Sequence, residues 1–178
     1  MKLNFIFIFF FLFVSNVFGA QWPNNIEKKY SDFKTTDTGN VEKCIATSQQ
    51  AQSNNDSIAA MAYCQKAIDF ALKLNKPELI AAAYSNAGNL NRKYSNYINA
   101  MKYYQIALQL YKKSGDSVMM ATLIRHIGLL YHDRGNYSKA MEQYVEALKI
   151  YEKNSKRNID FAWLLRSIGR IYHSQGAL

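Results

Sequence analysis

The side chains that could do chemistry in this 178-residue chain are few, and each set is incomplete. Asp37-Thr38-Gly39 spells the catalytic triplet of aspartic proteases. That loop needs apolar flanking strands, and here it stands in the polar stretch KTTDTGNVEK, so no acid–base pair is expected from it. The three histidines, His126, His132 and His173, could offer imidazole to a metal. Zinc needs a third and usually a fourth ligand, and no cysteine lies near them in the sequence, so no metal site is expected. The chain has no glycine-rich phosphate loop, no nucleophile elbow and no paired carboxylates at a useful spacing. Catalytic residues, cofactors and metals are therefore all expected to be absent. What remains is cationic: 22 Lys and Arg against 13 Asp and Glu, with Arg125 and Arg166 spaced 41 apart. Guanidinium groups grip carboxylates through two parallel hydrogen bonds, so recognition of an acidic group is the chemistry on offer.

Those residues must be held by something, and the chain contains a ruler. AGNLNRKYSNYINAMKYYQIALQLYKK (87–113) aligns under IGLLYHDRGNYSKAMEQYVEALKIYEK (127–153) with a constant offset of 40. The matches are Gly88 with Gly128, Tyr97 with Tyr137, Ala100 with Ala140, Tyr104 with Tyr144, Ala107 with Ala147, and Tyr111 with Tyr151. A third copy starts where Ile168-Gly169 follows Ile127-Gly128 by 41. A fainter one lies upstream, with Ala60 and Ala67 standing 40 before Ala100 and Ala107, and Ser48 where the others carry glycine. Such self-similarity signifies a stack of identical supersecondary units, none of which can bury its apolar face alone.

Each unit reads as two helices. Leu123, Ile127, Leu130 and Tyr131 recur at three and four, which makes one helical face. Asp133-Arg134-Gly135-Asn136 supplies a turn, and the next stripe is Tyr137, Ala140, Met141, Tyr144, Ala147, Leu148 and Tyr151. Gly128 and Ala140 let two backbones come close, while Tyr144 fills the wider gap beside them.

The small residues at the eighth, twentieth and twenty-seventh places (Gly128, Ala140, Ala147; Gly88, Ala100, Ala107), with Tyr131, Tyr137, Tyr144, Tyr97 and Tyr104 between, resemble the tetratricopeptide repeat family. The period of 40 or 41 exceeds the family's usual length of about 34. The resemblance implies an all-α fold, a right-handed α-solenoid of antiparallel helix pairs with about three and a half repeats. Residues 41–178 form it, as units of approximately 41–80, 81–120, 121–160 and a partial 161–178. The resemblance further implies a non-catalytic scaffold that binds a protein or peptide on a concave face lined by the first helix of each repeat. On that face the non-stacking positions are Ser85, Asn89, Arg92 and Lys93, then Arg125, Leu129 and His132, then Arg166, Arg170 and His173. Asn89, Arg92, Lys93, Arg125, His132, Arg166 and Arg170 are the expected peptide-binding set, suited to an acidic partner or a free C-terminal carboxylate. The other reading of these arginines is a solvated face on a basic protein. The lysine–asparagine carboxylate clamp of some relatives is not reproduced, because Ser85 replaces its lysine beside Asn89.

With Ser48 at the eighth place, Cys44 falls at the fourth and Cys64 at the twenty-fourth, two places that touch when the eighth touches the twentieth. A structural disulfide is expected there; the other reading is two buried thiols filling a small space. In the last unit Leu164, Leu165, Ile168, Ile171 and Tyr172 are expected to face inward, with Arg166, Ser167, Arg170, His173 and Ser174 outside.

The chain's beginning is of another kind. Lys2 precedes an apolar run, Phe5 to Val14, followed by small residues around Val17, Gly19 and Ala20, the pattern of a signal peptide over 1–20. Ten residues at helical rise cover about half of a roughly 30 Å hydrocarbon core, too short for a span. A polar leader over 21–40 follows. The expected protein is exported, periplasmic or secreted. It touches a membrane only through an uncleaved signal or a span beyond Leu178. Nucleic acid is not an expected partner, because export removes the protein from it and the tyrosines are used by the core. The alternative is that the repeats are the extracytoplasmic sensory portion of a bacterial histidine kinase or membrane-bound regulator.

Overall fold

The structure, a computed structural model, describes residues 37–154, 159–174 and 176. The expected signal peptide over 1–20 and nearly all of the expected leader over 21–40 lie outside the described residues. Seven helices follow: α1 Thr38–Ser53, α2 Ser57–Leu74, α3 Pro77–Lys93, α4 Tyr97–Ser114, α5 Ser117–Asp133, α6 Tyr137–Lys153 and α7 Ile159–Ser174. No strand occurs among the described residues, and none of their helices is long and apolar enough to cross a membrane. The described residues form an all-α solenoid of three antiparallel pairs and a seventh helix.

Helix starts are written in short polar side chains. Asp56, Asn96, Asp116 and Asn136 each stand before a helix and accept a hydrogen bond from the backbone N–H three residues on, which satisfies one of the first-turn donors that no intrahelical carbonyl can reach. Asp37 does the same for α1, accepting from Asn40 N at 2.8 Å. The Asp-Thr-Gly triplet is thus a helix start, with α1 beginning at Thr38. α3 lacks a side-chain cap and begins with Pro77, whose fixed φ and missing N–H suit a first helical position.

The turn inside each pair repeats one geometry. Asn55, Ser95 and Gly135 all take a left-handed φ, at 59°, 59° and 73°. The following N–H closes back on the helix end: Asp56 on Ala51 O, Asn96 on Asn91 O and Asn136 on Tyr131 O, at 2.8–2.9 Å. Only the third turn uses the residue that adopts this φ without strain.

Packing explains the ladder of small and aromatic residues. A Cβ built on Gly88 would stand 2.3 Å from Tyr104 Cε1, and one on Gly128 would stand 2.4 Å from Tyr144 Cε1. Both rings are fully buried, so each pair is a glycine notch filled by a tyrosine. Tyr104, Ala100 and Ala107 continue into Leu123, Ile127 and Leu130 of α5 as one core, and Tyr144, Ala140 and Ala147 into Leu164 and Ile171 of α7 as the next.

The first pair solves the same problem with other residues. Ser48 occupies the glycine place and donates to Ala60 O at 2.8 Å, while Cys64 stands where Tyr104 and Tyr144 stand in later pairs. A larger residue on one helix is matched by a smaller one on the other. The disulfide expected between Cys44 and Cys64 is not formed: both are buried free thiols. Burial pushes each thiol up to about 11, so neither is a thiolate near neutral pH. The unfolded protein is therefore expected to show two reactive thiols with or without reductant, and the folded protein almost none; a thiol count that rises on reduction would contradict this.

α7 departs from expectation. Leu164, Ser167 and Ile171 are the buried residues, whereas Leu165 and Tyr172 are each 47% exposed. The helix rests on α5 and α6 by the Leu164–Ile171 edge, and the edge that α5 turns to α6 is left uncovered on α7 among the described residues.

Candidate binding surface

The first helices of the units touch one another, α1 on α3, α3 on α5 and α5 on α7, and form one row. The expected binding residues lie along it, but most are held by the protein itself. Arg92 on α3 forms an ion pair with Asp133 at the end of α5. Lys93 donates to the Gln52 carbonyl of α1. Both links span 41 residues and so cross from one repeat to its neighbour. Asn89 accepts from the Tyr104 hydroxyl at 2.8 Å. Burial draws the Arg92 pKa down, but Tyr104 and Asp133 outweigh it and hold the group above its ordinary value.

Arg125 is the unusual member. It is 8% exposed, and its Nη2 lies 2.8 Å from His126 Nε2 and 3.9 Å from Asp160 Oδ1 on α7. A guanidinium can only donate, so His126 Nε2 accepts and the ring is neutral, with its proton on Nδ1. Burial, then Arg125 and Arg92, pull the His126 pKa down to about 3. Burial also lowers the Arg125 pKa, and Asp160 restores part of the loss. Arg125 Nε has no hydrogen-bond partner.

His132 sits with its Nδ1 3.6 Å from Asp133 Oδ1 and its ring edge-on to Tyr137, and neither ring nitrogen has a hydrogen-bond partner. On α7, Arg166 lies over the Trp163 ring at 5.2 Å from its centroid, and Arg170 and His173 are exposed. Among the described residues no carboxylate pairs with Arg166 or Arg170. Nor do three or more His, Cys, Asp or Glu side chains gather there to hold a metal.

With this geometry, glycine notches filled by tyrosine and first helices in a row, residues 79–153 match the family model described as Tetratricopeptide repeat. Residues 79–153 are thus similar to tetratricopeptide repeats. The same architecture is found in the crystal structure of BtubC from P. vanneervenii, with a TM-score of 0.64 and 21% identity, covering 76% of this chain and 55% of that one. The apo form of RapI gives a TM-score of 0.68 at 18% identity, covering 85% of this chain and 54% of that one. The tetratricopeptide domain of Arabidopsis FLU gives 0.58 at 18%, covering 65% and 97%. This chain thus spans about half the length of BtubC and of RapI. No curated protein matches it.

Tetratricopeptide repeats are generally non-catalytic scaffolds, consistent with protein–protein interaction. Arg92, Lys93, Arg125, Arg166 and Arg170 lie on the first helices, but their partners are not apparent from the sequence. Asp133 was read as a turn residue and Asp160 was not considered; Asp133 sits 41 after Arg92, and that spacing was the available signal. The burial of Arg125 and His126 had no such signal.

Proposed function

We propose that this scaffold binds an acidic protein segment, or a free C-terminal carboxylate, along the row of first helices, with Arg125, Arg166, Arg170 and His132 as its principal contacts. The observation that carries the proposal is the incomplete pairing of Arg125. A buried cation is normally held by close hydrogen-bonded anions. Here the nearest carboxylate is 3.9 Å away and one guanidinium nitrogen is without a partner. A ligand carboxylate reaching this guanidinium would supply what Asp160 does not. Arg166 and Arg170, without carboxylate partners of their own, extend positive charge along α7. The apolar run from Phe5 to Val14 supports placing this binding outside the cytoplasm.

The exposed pair gives the cleaner test, because its removal leaves the core untouched. Against a panel of acidic peptides read by fluorescence anisotropy, Arg166→Ala with Arg170→Ala is expected to weaken binding by about tenfold or more, with an affinity that falls as salt is raised. Unchanged affinity for the peptide the parent selects would reduce these arginines to a solvated face.

A further inference from the structure

The uncovered edge of α7 is the same edge that other first helices bury. Ala162, Leu165, Ile168, Gly169 and Tyr172 correspond, 41 residues on, to Ala121, Ile124, Ile127, Gly128 and Tyr131 of α5. On α5, Ala121, Ile124 and Ile127 are at most 6% exposed, and the Gly128 notch holds the Tyr144 ring. On α7, Leu165 and Tyr172 are half exposed, and among the described residues nothing stands within 4 Å of where a Gly169 Cβ would be. Beside this edge runs a groove of about 700 Å³ between α6 and α7, whose wall includes Met141, Val145, Ile171 and Tyr172 together with the acids Glu142 and Glu146. The stacking interface therefore continues onto a surface that is shaped but unfilled.

The interior of the protein states what shape fits. Gly88 and Gly128 are each met by a helix carrying alanine, tyrosine four residues on, and alanine three beyond that: Ala100, Tyr104, Ala107 and Ala140, Tyr144, Ala147. Arg166 and Arg170 follow Leu165 and Gly169 by one residue, so positive charge borders the open edge. We propose that this edge docks an amphipathic helix from a partner protein. The helix lies antiparallel to α7, with an aromatic ring in the Gly169 notch, small residues to either side of it, and acidic residues toward Arg166 and Arg170. A second copy of α7 is a poor occupant. A two-fold axis between antiparallel copies keeps the same border of each helix on the same side, which sets Arg166 and Arg170 beside their own mates. The one acid on α7, Asp160, faces Arg125 instead. The open edge shares Arg166 and Arg170 with the proposed binding row but not Arg125, and the Gly169→Leu variant tests the notch without altering either arginine.

The test uses the full chain from its native gene and, as probe, a synthetic peptide of residues 137–153, which carries Ala140, Tyr144 and Ala147. The peptide is expected to bind with a Kd on the order of 10–100 μM. Gly169→Leu in the protein, or Tyr144→Ala in the peptide, should each weaken binding by at least about tenfold. Leucine at 169 meets open space, so the variant keeps its fold, which an unchanged melting temperature would verify. Four results overturn the proposal. They are no binding at millimolar peptide, binding indifferent to Gly169→Leu, a free-protein dimer that Gly169→Leu dissociates, and a Gly169→Cys thiol that a maleimide cannot reach in the free protein, which would mean the native chain covers this edge itself.

Discussion

Gly128→Ala is expected to lower the melting temperature by roughly 5–10 °C, through a loss of about 2 kcal/mol. In most helices the same change adds about 0.5–1 kcal/mol, because glycine is the poorer helix former. The sign reverses here because the new methyl would stand 2.4 Å from Tyr144 Cε1, 2.6 Å from Cδ1 and 3.3 Å from the Ala140 carbonyl. The ring cannot step aside, since Tyr144 is wholly enclosed between α5, α6 and α7. Gly88→Ala should behave alike against Tyr104. Gly169→Ala should do the opposite and stabilise, having nothing to meet. Three melting curves followed by circular dichroism decide the matter. If Gly128→Ala melts at or above the parent, the notch-and-ring account of the repeat is wrong. Adding Tyr144→Leu to Gly128→Ala should remove the clash, so the two losses will not add.

Acidification is expected to destabilise the protein between about pH 6 and pH 4 by about 2 kcal/mol, mostly through His126. Its pKa in the folded chain is about 3, against about 6.5 when unfolded. In that window the unfolded state binds a proton that the folded state refuses, so stability is complete above the unfolded pKa and declines as pH falls toward the folded one. One such group changes stability by at most about 1.4 kcal/mol per pH unit, and the partial exposure of the ring reduces the figure. The cause is specific: burial, and two guanidinium groups, Arg125 and Arg92, set against an imidazole that already accepts from one of them. His126→Gln keeps an acceptor and cannot titrate, so it should flatten the pH dependence of urea unfolding over this range. A variant with the parent's slope would assign the acid sensitivity to other groups.

Much of the repeat was legible before any coordinates because its constraints are local and periodic. A spacing of 40 between Gly88 and Gly128, kept through Tyr104 and Tyr144, can be satisfied only by units that stack. Pairing, turn positions and the direction of each apolar stripe follow from residues within one unit. The positive-φ turns inside the three pairs were half legible: glycine announced Gly135, but Asn55 and Ser95 adopt the same conformation without announcing it, because the repeat geometry imposes it on them.

The binding surface was read less well, for a physical reason. A list of arginines carries charge and position but not company, and charge in a folded chain is decided by what lies opposite. Arg92 meets Asp133 and Lys93 meets Gln52 only once neighbouring repeats are stacked. Cys44 and Cys64 invited a bridge by their register, yet tertiary packing gives Cys64 the place of Tyr104 and sets Ser48 opposite it, a matching of volumes that leaves both as thiols. By itself the sequence determined a tetratricopeptide-type helical solenoid with a cationic row, since periodicity and net charge are properties of the chain. Tertiary structure alone decided that Arg125 is buried and under-paired, that His126 is held neutral, and that α7 carries an open glycine notch, because each depends on distances between residues from different repeats.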